Sequence, residues 1–161
     1  SEEGQRFYDT YRDFIDEVIR PRFGDKIYYQ EKPTHRILYA DAPGVSRFHR
    51  DRDYGHNPRE INFFVPQTKA FDTNTLWIES EEGKEDFEPV ILKPGEFLTF
   101  DGANLMHGAK ENHTGKTRVS FDFRILRADS KRVSDIGDDP GNEDQLQNKL
   151  KANAHGFVLA Q

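Results

Sequence analysis

The 161-residue chain contains no cysteine. Disulfides and thiolate metal sites are thereby excluded, and any metal must sit on His, Asp or Glu, a donor set that suits Fe, Mn, Zn or Ni. No run of about 20 apolar residues occurs, so no membrane-spanning segment is expected. The opening Ser-Glu-Glu-Gly-Gln-Arg has no apolar region that would direct secretion, which makes the cytoplasm the expected location. A basic excess is also missing. The net charge is −6 with the basic residues dispersed, against the basic face that a nucleic-acid binder needs. What the chain has in plenty is phenylalanine, thirteen in all, and aromatic residues favour sheet.

The apolar residues Phe7, Tyr11, Phe14, Ile15, Val18 and Ile19 recur at helical spacing. They predict one amphipathic helix over Gly4–Ile19, ended by Pro21 and packed on a sheet. Short strands are expected at Ile27–Gln30, His35–Ala40, Ser46–Asp51, Glu60–Val65, Thr75–Glu79, Pro89–Leu92, Phe97–Phe100 and Thr117–Leu126, with turn signals between them. Asp53–Arg59 reads as a loop at a cavity mouth and Glu79–Asp86 as an acidic solvated loop. About eight short strands behind one helix make a mainly β pattern, a double-sheet jelly roll or a barrel. Residues 1–127 are expected to form this domain. Residues 128–161 form a tail: a polar loop over Ala128–Asp144, a short helix near Glu143–Ala154, and a last apolar patch at Phe157, Val158 and Leu159.

Within Phe48–His56, His49 and Asp51 are two apart. On a strand such a pair points to one face and offers an imidazole and a carboxylate to one cavity. Asp53 lies on the same parity and is the competing carboxylate. His107, in Asn-Leu-Met-His-Gly-Ala, is the candidate third ligand, with His56 and His113 as competitors. Two imidazoles and one carboxylate are the facial donor set that suits non-haem Fe(II). On the alternating strand 117–126, Arg118, Ser120, Asp122 and Arg124 share one face, which is either solvated or a polar cavity. The aromatic opposite face, Val119, Phe121, Phe123 and Ile125, is expected to meet the helix. Asn62, Trp77 and Tyr39 are candidates to line the pocket, with core or sheet packing the alternative for the latter two.

This spacing resembles the iron(II)- and 2-oxoglutarate-dependent oxygenases. The segments Phe-His-Arg-Asp-Arg-Asp-Tyr-Gly-His, Glu-Ile-Asn-Phe-Phe-Val-Pro, Thr-Leu-Trp-Ile-Glu-Ser and Arg-Val-Ser-Phe-Asp-Phe-Arg together look like a small branch of that superfamily, one that includes an oxygenase-like protein of streptomycin biosynthesis. The likeness covers roughly residues 34–126. It implies a double-stranded β-helix, or cupin-like barrel. It implies Fe(II) on His49, Asp51 and His107, and 2-oxoglutarate as co-substrate with O2. The distal carboxylate of 2-oxoglutarate would rest on Arg118, with Ser120 and Asn62 as further cofactor-binding candidates and Arg124 as the alternative anchor. A planar guanidinium meets a carboxylate with two parallel hydrogen bonds, which suits that role. The implied reaction is a hydroxylase-type oxidation coupled to decarboxylation of 2-oxoglutarate to succinate and CO2. The presence of Asp51 favours it over halogenation, in which halide takes the carboxylate position.

A cupin-like metal enzyme that does not use 2-oxoglutarate is the alternative, and a non-catalytic jelly-roll binding module is a third reading. The expected partner is a small polar molecule, with neither nucleic acid nor membrane, and the expected state is a monomer or homodimer. Arg50, Arg52, His56 and Arg124 point to an anionic substrate group unless they pair with Asp53, Asp122 and Glu60.

Overall fold

The computed structural model describes residues 1–24, 26–44 and 46–127, and the backbone of 157–159. It divides into two compact units, Ser1–Lys32 with Ile125–Gln161 and Pro33–Arg124. The expected loop at 128–144 and helix at 143–154 lie outside the described residues.

In the first unit, helix α1 (Glu2–Phe14) starts at Ser1, whose side chain accepts from the Gly4 N–H. This is an N-cap that satisfies one of the free first-turn donors. The helix does not end at Pro21 as the sequence suggests. It passes through a π-helical turn, Ile15–Ile19, into α2 (Arg20–Phe23). A proline ring clashes with the carbonyl four residues back and brings no N–H. In the widened turn the Arg20 N–H reaches Ile15, and this looser winding accommodates Pro21. Tyr11, Ile15 and Ile19 bury one stripe of the helix. Tyr11 donates its hydroxyl to the Gln30 carbonyl at 2.8 Å, and its ring meets Tyr29 edge-on. The helix thus packs on β1 (Ile27–Gln30), as expected, and β1 is buried throughout. On one side β1 pairs antiparallel with the end of β8, and on the other with a three-residue strand, Phe157–Leu159. The apolar patch of the tail is therefore a strand.

In the second unit, β2 (Thr34–Leu38), β3 (Ile61–Pro66), β6 (Leu98–Phe100) and β8 (Arg118–Arg127, through Arg124) form one sheet. There β8 lies between β2 and β3, and β6 lies outside β3. A second sheet has the order β5 (Glu88–Pro89), β4 (Leu76–Ile78), β7 (His107–Ala109). With the tail strand as β9, nine strands are present among the described residues. Successive side chains on β3 and β8 take opposite faces. Phe63 and Phe123 are fully buried and stacked, with centroids 4.6 Å apart. Each ring contributes about 1.5–3 kcal/mol of burial. The alternate residues Asn62, Phe64, Arg118, Asp122 and Arg124 face a cavity. The polar face of β8 is thus a cavity lining, not a solvent face.

One expected strand is missing. Ser46–Asp51 is irregular except for a single bridge at His49. Asp51 opens a 3-10 turn, Asp51–Tyr54. No helix among the described residues is long and apolar enough to cross a membrane.

Candidate metal centre

The His49 and His107 backbones exchange two hydrogen bonds, each 3.0 Å. This antiparallel bridge sets the imidazoles side by side, with ring centroids 4.6 Å apart. Gly108 permits it. A Cβ there would lie 2.9 Å from the Phe48 backbone, closer than atoms pack. On its other side β7 pairs with β4, with His107 opposite Ile78. Asp51 arrives by another route. Its N–H donates to Gly102 at 2.9 Å, and the 3-10 turn swings its carboxylate inward. Strand parity is therefore not what unites His49 and Asp51. The same turn leaves Asp53 exposed, so it does not compete. His113 is 64% exposed at its side chain and sits by Glu111. His56 is buried against Glu60.

His49, Asp51 and His107 offer ligand atoms that lie within 4.8 Å of one another, and they are the one such group of three among the described residues. The two histidine Nε2 atoms lie 3.3 and 3.7 Å from Asp51 Oδ1. Their tautomers follow from their neighbours. His49 Nδ1 is 2.7 Å from the Arg47 carbonyl, and His107 Nδ1 is 2.9 Å from the Leu105 carbonyl. A carbonyl only accepts, so both Nδ1 atoms carry a proton, and in the neutral rings both Nε2 lone pairs face Asp51. Three acceptors converging on one point are an arrangement suited to a cation between them. Backbone carbonyls that fix the ligating nitrogen are the usual support for metal-binding histidines. The donor set fits a divalent first-row metal, and two neutral imidazoles with one carboxylate leave it one net positive charge.

The charges are consistent with this. Burial would raise the Asp51 pKa, but hydrogen bonds from His49, Arg124 and Asn62 outweigh burial and hold the carboxyl well below the usual carboxylate range. In the protonated ring the His49 Nε2–H bonds Asp51, and this raises the His49 pKa above its ordinary 6.5, against burial. Burial lowers His107.

The same cavity, open at its mouth, is lined by Arg118. Arg118 is 2% exposed and Ser120 fully buried. Arg118 Nε and Ser120 Oγ are buried with no hydrogen-bond partner. Among the described residues no carboxylate lies within ion-pair distance of Arg118, and its guanidinium rests over Phe64 at 5.3 Å. The neighbouring Asp122 is paired with Arg36, at 2.5 and 3.3 Å. Burial first, and then Arg36, push the Arg118 pKa down to about 10. Arg124 is not a second free anchor, because its Nε donates to Asp51 Oδ2 at 2.8 Å. Asn62 lines the cavity, and its Nδ2 donates to the same oxygen at 2.6 Å. Tyr39 is 63% exposed, and Trp77 lies in β4 beneath Lys110.

No family model matches the chain. The chain is 41% identical over 138 residues to the streptomycin biosynthesis protein StrG of Streptomyces griseus, across 81% of this chain and 65% of that relative. Among solved structures, the non-heme monooxygenase ThoJ in its nickel complex superposes with a TM-score of 0.56 at 18% identity, covering 71% of this chain and 50% of that one. The non-heme alpha-ketoglutarate-dependent epimerase SnoN, from nogalamycin biosynthesis, gives 0.56 at 17%, covering 80% and 57%. The fold is the double-stranded β-helix. The chain spans about two thirds of StrG and about half of ThoJ.

Within this double-stranded β-helix one important residue escaped the sequence reading. Glu79, expected in a solvated loop, is 1% exposed. It accepts from the N–H groups of Met106 (2.6 Å), Gly83 (3.0 Å) and Glu85 (3.2 Å) and lies 3.7 Å from Arg50. Burial opposes its ionisation, but these contacts still lower its pKa. It ties together the residue before His107 and the residue between His49 and Asp51. The only sequence signal was its place at the end of an apolar strand. The remaining basic residues near the mouth are also engaged. Arg52 pairs with Glu82 and Asn104, and His56 with Glu60.

Proposed function

We propose that this chain is the catalytic domain of an Fe(II)- and 2-oxoglutarate-dependent oxygenase acting on a small polar molecule. The observation that carries this reading is a buried guanidinium without a counter-ion in the cavity that holds the His-Asp-His cluster. A buried charge without a partner is costly, so the site is built for an anion that arrives with the reaction. A dicarboxylic keto acid matches both ends of the cavity. Its distal carboxylate meets Arg118 and Ser120, and its other end reaches the cluster. When bound, Fe(II) supplies O2 chemistry that couples substrate oxidation to decarboxylation of 2-oxoglutarate, giving succinate and CO2.

The chain's own residues then have separate tasks. Arg47 and Leu105 carbonyls keep the Nε2 lone pairs of His49 and His107 available. Asp51 supplies the single negative charge. Arg118, close to Phe64, selects a planar carboxylate end by two-pronged hydrogen bonding. The walls restrict water around this end. We place the substrate at the open mouth and assign the outcome to hydroxylation or a related oxidation.

The test is succinate release from 2-oxoglutarate in the presence of Fe(II), O2 and ascorbate, together with 2-oxoglutarate binding to the Ni(II)-loaded protein. The expected result is metal-dependent binding and slow succinate formation even without substrate. Metal binding that is indifferent to 2-oxoglutarate would overturn this reading in favour of a cupin-like metal enzyme that does not use it.

A further inference from the structure

The two oxygens of Asp51 have different surroundings. Oδ1 faces the two Nε2 atoms at 3.3 and 3.7 Å. Oδ2 accepts from Asn62 Nδ2 at 2.6 Å and from Arg124 Nε at 2.8 Å. Two donors, one of them cationic, make strong bonds to a carboxylate oxygen. Such an oxygen is a poor ligand for a second cation. Arg124 is itself fixed from behind. Its Nε lies 3.8 Å from Glu60 Oε2, and that oxygen accepts from His56 Nδ1 at 2.7 Å. The other Glu60 oxygen accepts from the Asn57 N–H at 3.1 Å. Asp51, Arg124, Glu60 and His56 are each no more than 9% exposed, so water does not compete for these contacts. Asn62 is held from below by Gly102, where a Cβ would come within 2.5 Å of its side-chain nitrogen.

We infer that Asn62 and Arg124 are positioning residues that restrict Asp51 to a one-oxygen metal ligand, with Glu60 and His56 as their buttress. A carboxylate with both oxygens free can swing and chelate through both, and so close a coordination position that a co-substrate would use. The clamp prevents that swing. It also assigns Asn62 to the carboxylate ligand rather than to the co-substrate. The inference rests on the metal-holding half of the function proposed above and not on the use of 2-oxoglutarate.

The probe is Co(II), whose visible absorption reports the number and symmetry of its ligands. Asn62→Leu keeps the side-chain volume and removes the donor. Arg124→Met keeps the stem and removes the cation. Each is expected to weaken Co(II) binding by about 10–100-fold, the range for outer partners of metal ligands. Each is also expected to change the band pattern at saturating Co(II), which a merely structural role would leave alone. Folded variants with wild-type Co(II) affinity and spectrum overturn the inference. If Arg124→Met does not fold, Asn62→Leu decides, since it strands no buried charge. A wild-type chain that binds no divalent metal overturns both this inference and the function. A wild-type chain that binds Co(II) but ignores 2-oxoglutarate, with weakened variants, sinks only the co-substrate reading and supports the clamp.

Discussion

At the scale of single residues, the Arg118 guanidinium is enclosed with no carboxylate in ion-pair distance among the described residues, since the neighbouring Asp122 is paired with Arg36. Under the proposed function it destabilises the ligand-free protein and favours the liganded one. Arg118→Met should therefore act in opposite directions on the two states. Removing one partner of a buried, hydrogen-bonded charge pair costs about 2–5 kcal/mol, so 2-oxoglutarate affinity should fall at least roughly 30-fold. Calorimetric titration of the Ni(II)-loaded variant measures this. The melting temperature of the ligand-free variant should hold or rise, because the substitution removes an unpaired buried charge. A fall in both would mean that Arg118 is structural. The histidines predict a pH dependence. Metal binding needs both Nε2 atoms unprotonated. Asp51 raises the His49 pKa above its ordinary 6.5, so protons begin to compete at a pH above that value as acid is added. His107 is lowered by burial and protonates only at lower pH. Apparent Ni(II) affinity should thus decline by about tenfold per pH unit once the pH is below the His49 pKa. A profile flat down to pH 5 would contradict it.

At the scale of elements, the cluster depends on a bridge and a turn rather than on a regular strand. Gly108→Ala places a methyl against the Phe48 backbone, and overpacking of this kind costs about 1–3 kcal/mol. Because it pries apart the His49–His107 bridge, metal affinity should drop along with the melting temperature. Glu79→Ala strands the N–H groups of Met106, Gly83 and Glu85. The half-buried Met106 N–H costs up to about 1–3 kcal/mol when left unpaired, whereas those of the exposed Gly83 and Glu85 can turn to water, so thermal unfolding should shift down by a few degrees. Glu79→Gln keeps one acceptor and should lie between the two. A melting temperature for Glu79→Ala equal to wild type would show that these contacts carry no weight.

At the scale of the whole molecule, every residue of the candidate site lies between Pro33 and Arg124, while β1 takes the tail strand Phe157–Leu159 as its outer neighbour. Ending the chain after Arg127 would leave the Tyr28–Gln30 backbone as an open, apolar edge. Open edges of this kind template association. Such a chain is expected to aggregate or to run as an oligomer in size-exclusion chromatography, and its soluble fraction is expected to keep Ni(II) affinity. Loss of metal binding in the soluble monomer would show that the tail takes part in the site.

The sequence by itself determined the donor types, since the absence of cysteine leaves only imidazole and carboxylate. It determined the strand β1 to the residue, and it determined the polar face of β8, because side-chain alternation is a local property of an extended chain. It also singled out the three residues that now cluster, together with Arg118 and Ser120. What only the tertiary structure decided was how they meet. His49 and Asp51 converge through a bridge and a 3-10 turn, for which period-two reasoning has no purchase, and the same turn removes Asp53. Which oxygen of Asp51 is available depends on Asn62 and Arg124, 11 and 73 positions away. Glu79 is buried because distant N–H groups converge on it, not because of its acidic neighbours. Such contacts follow from the closure of long loops, and no window of local sequence contains them.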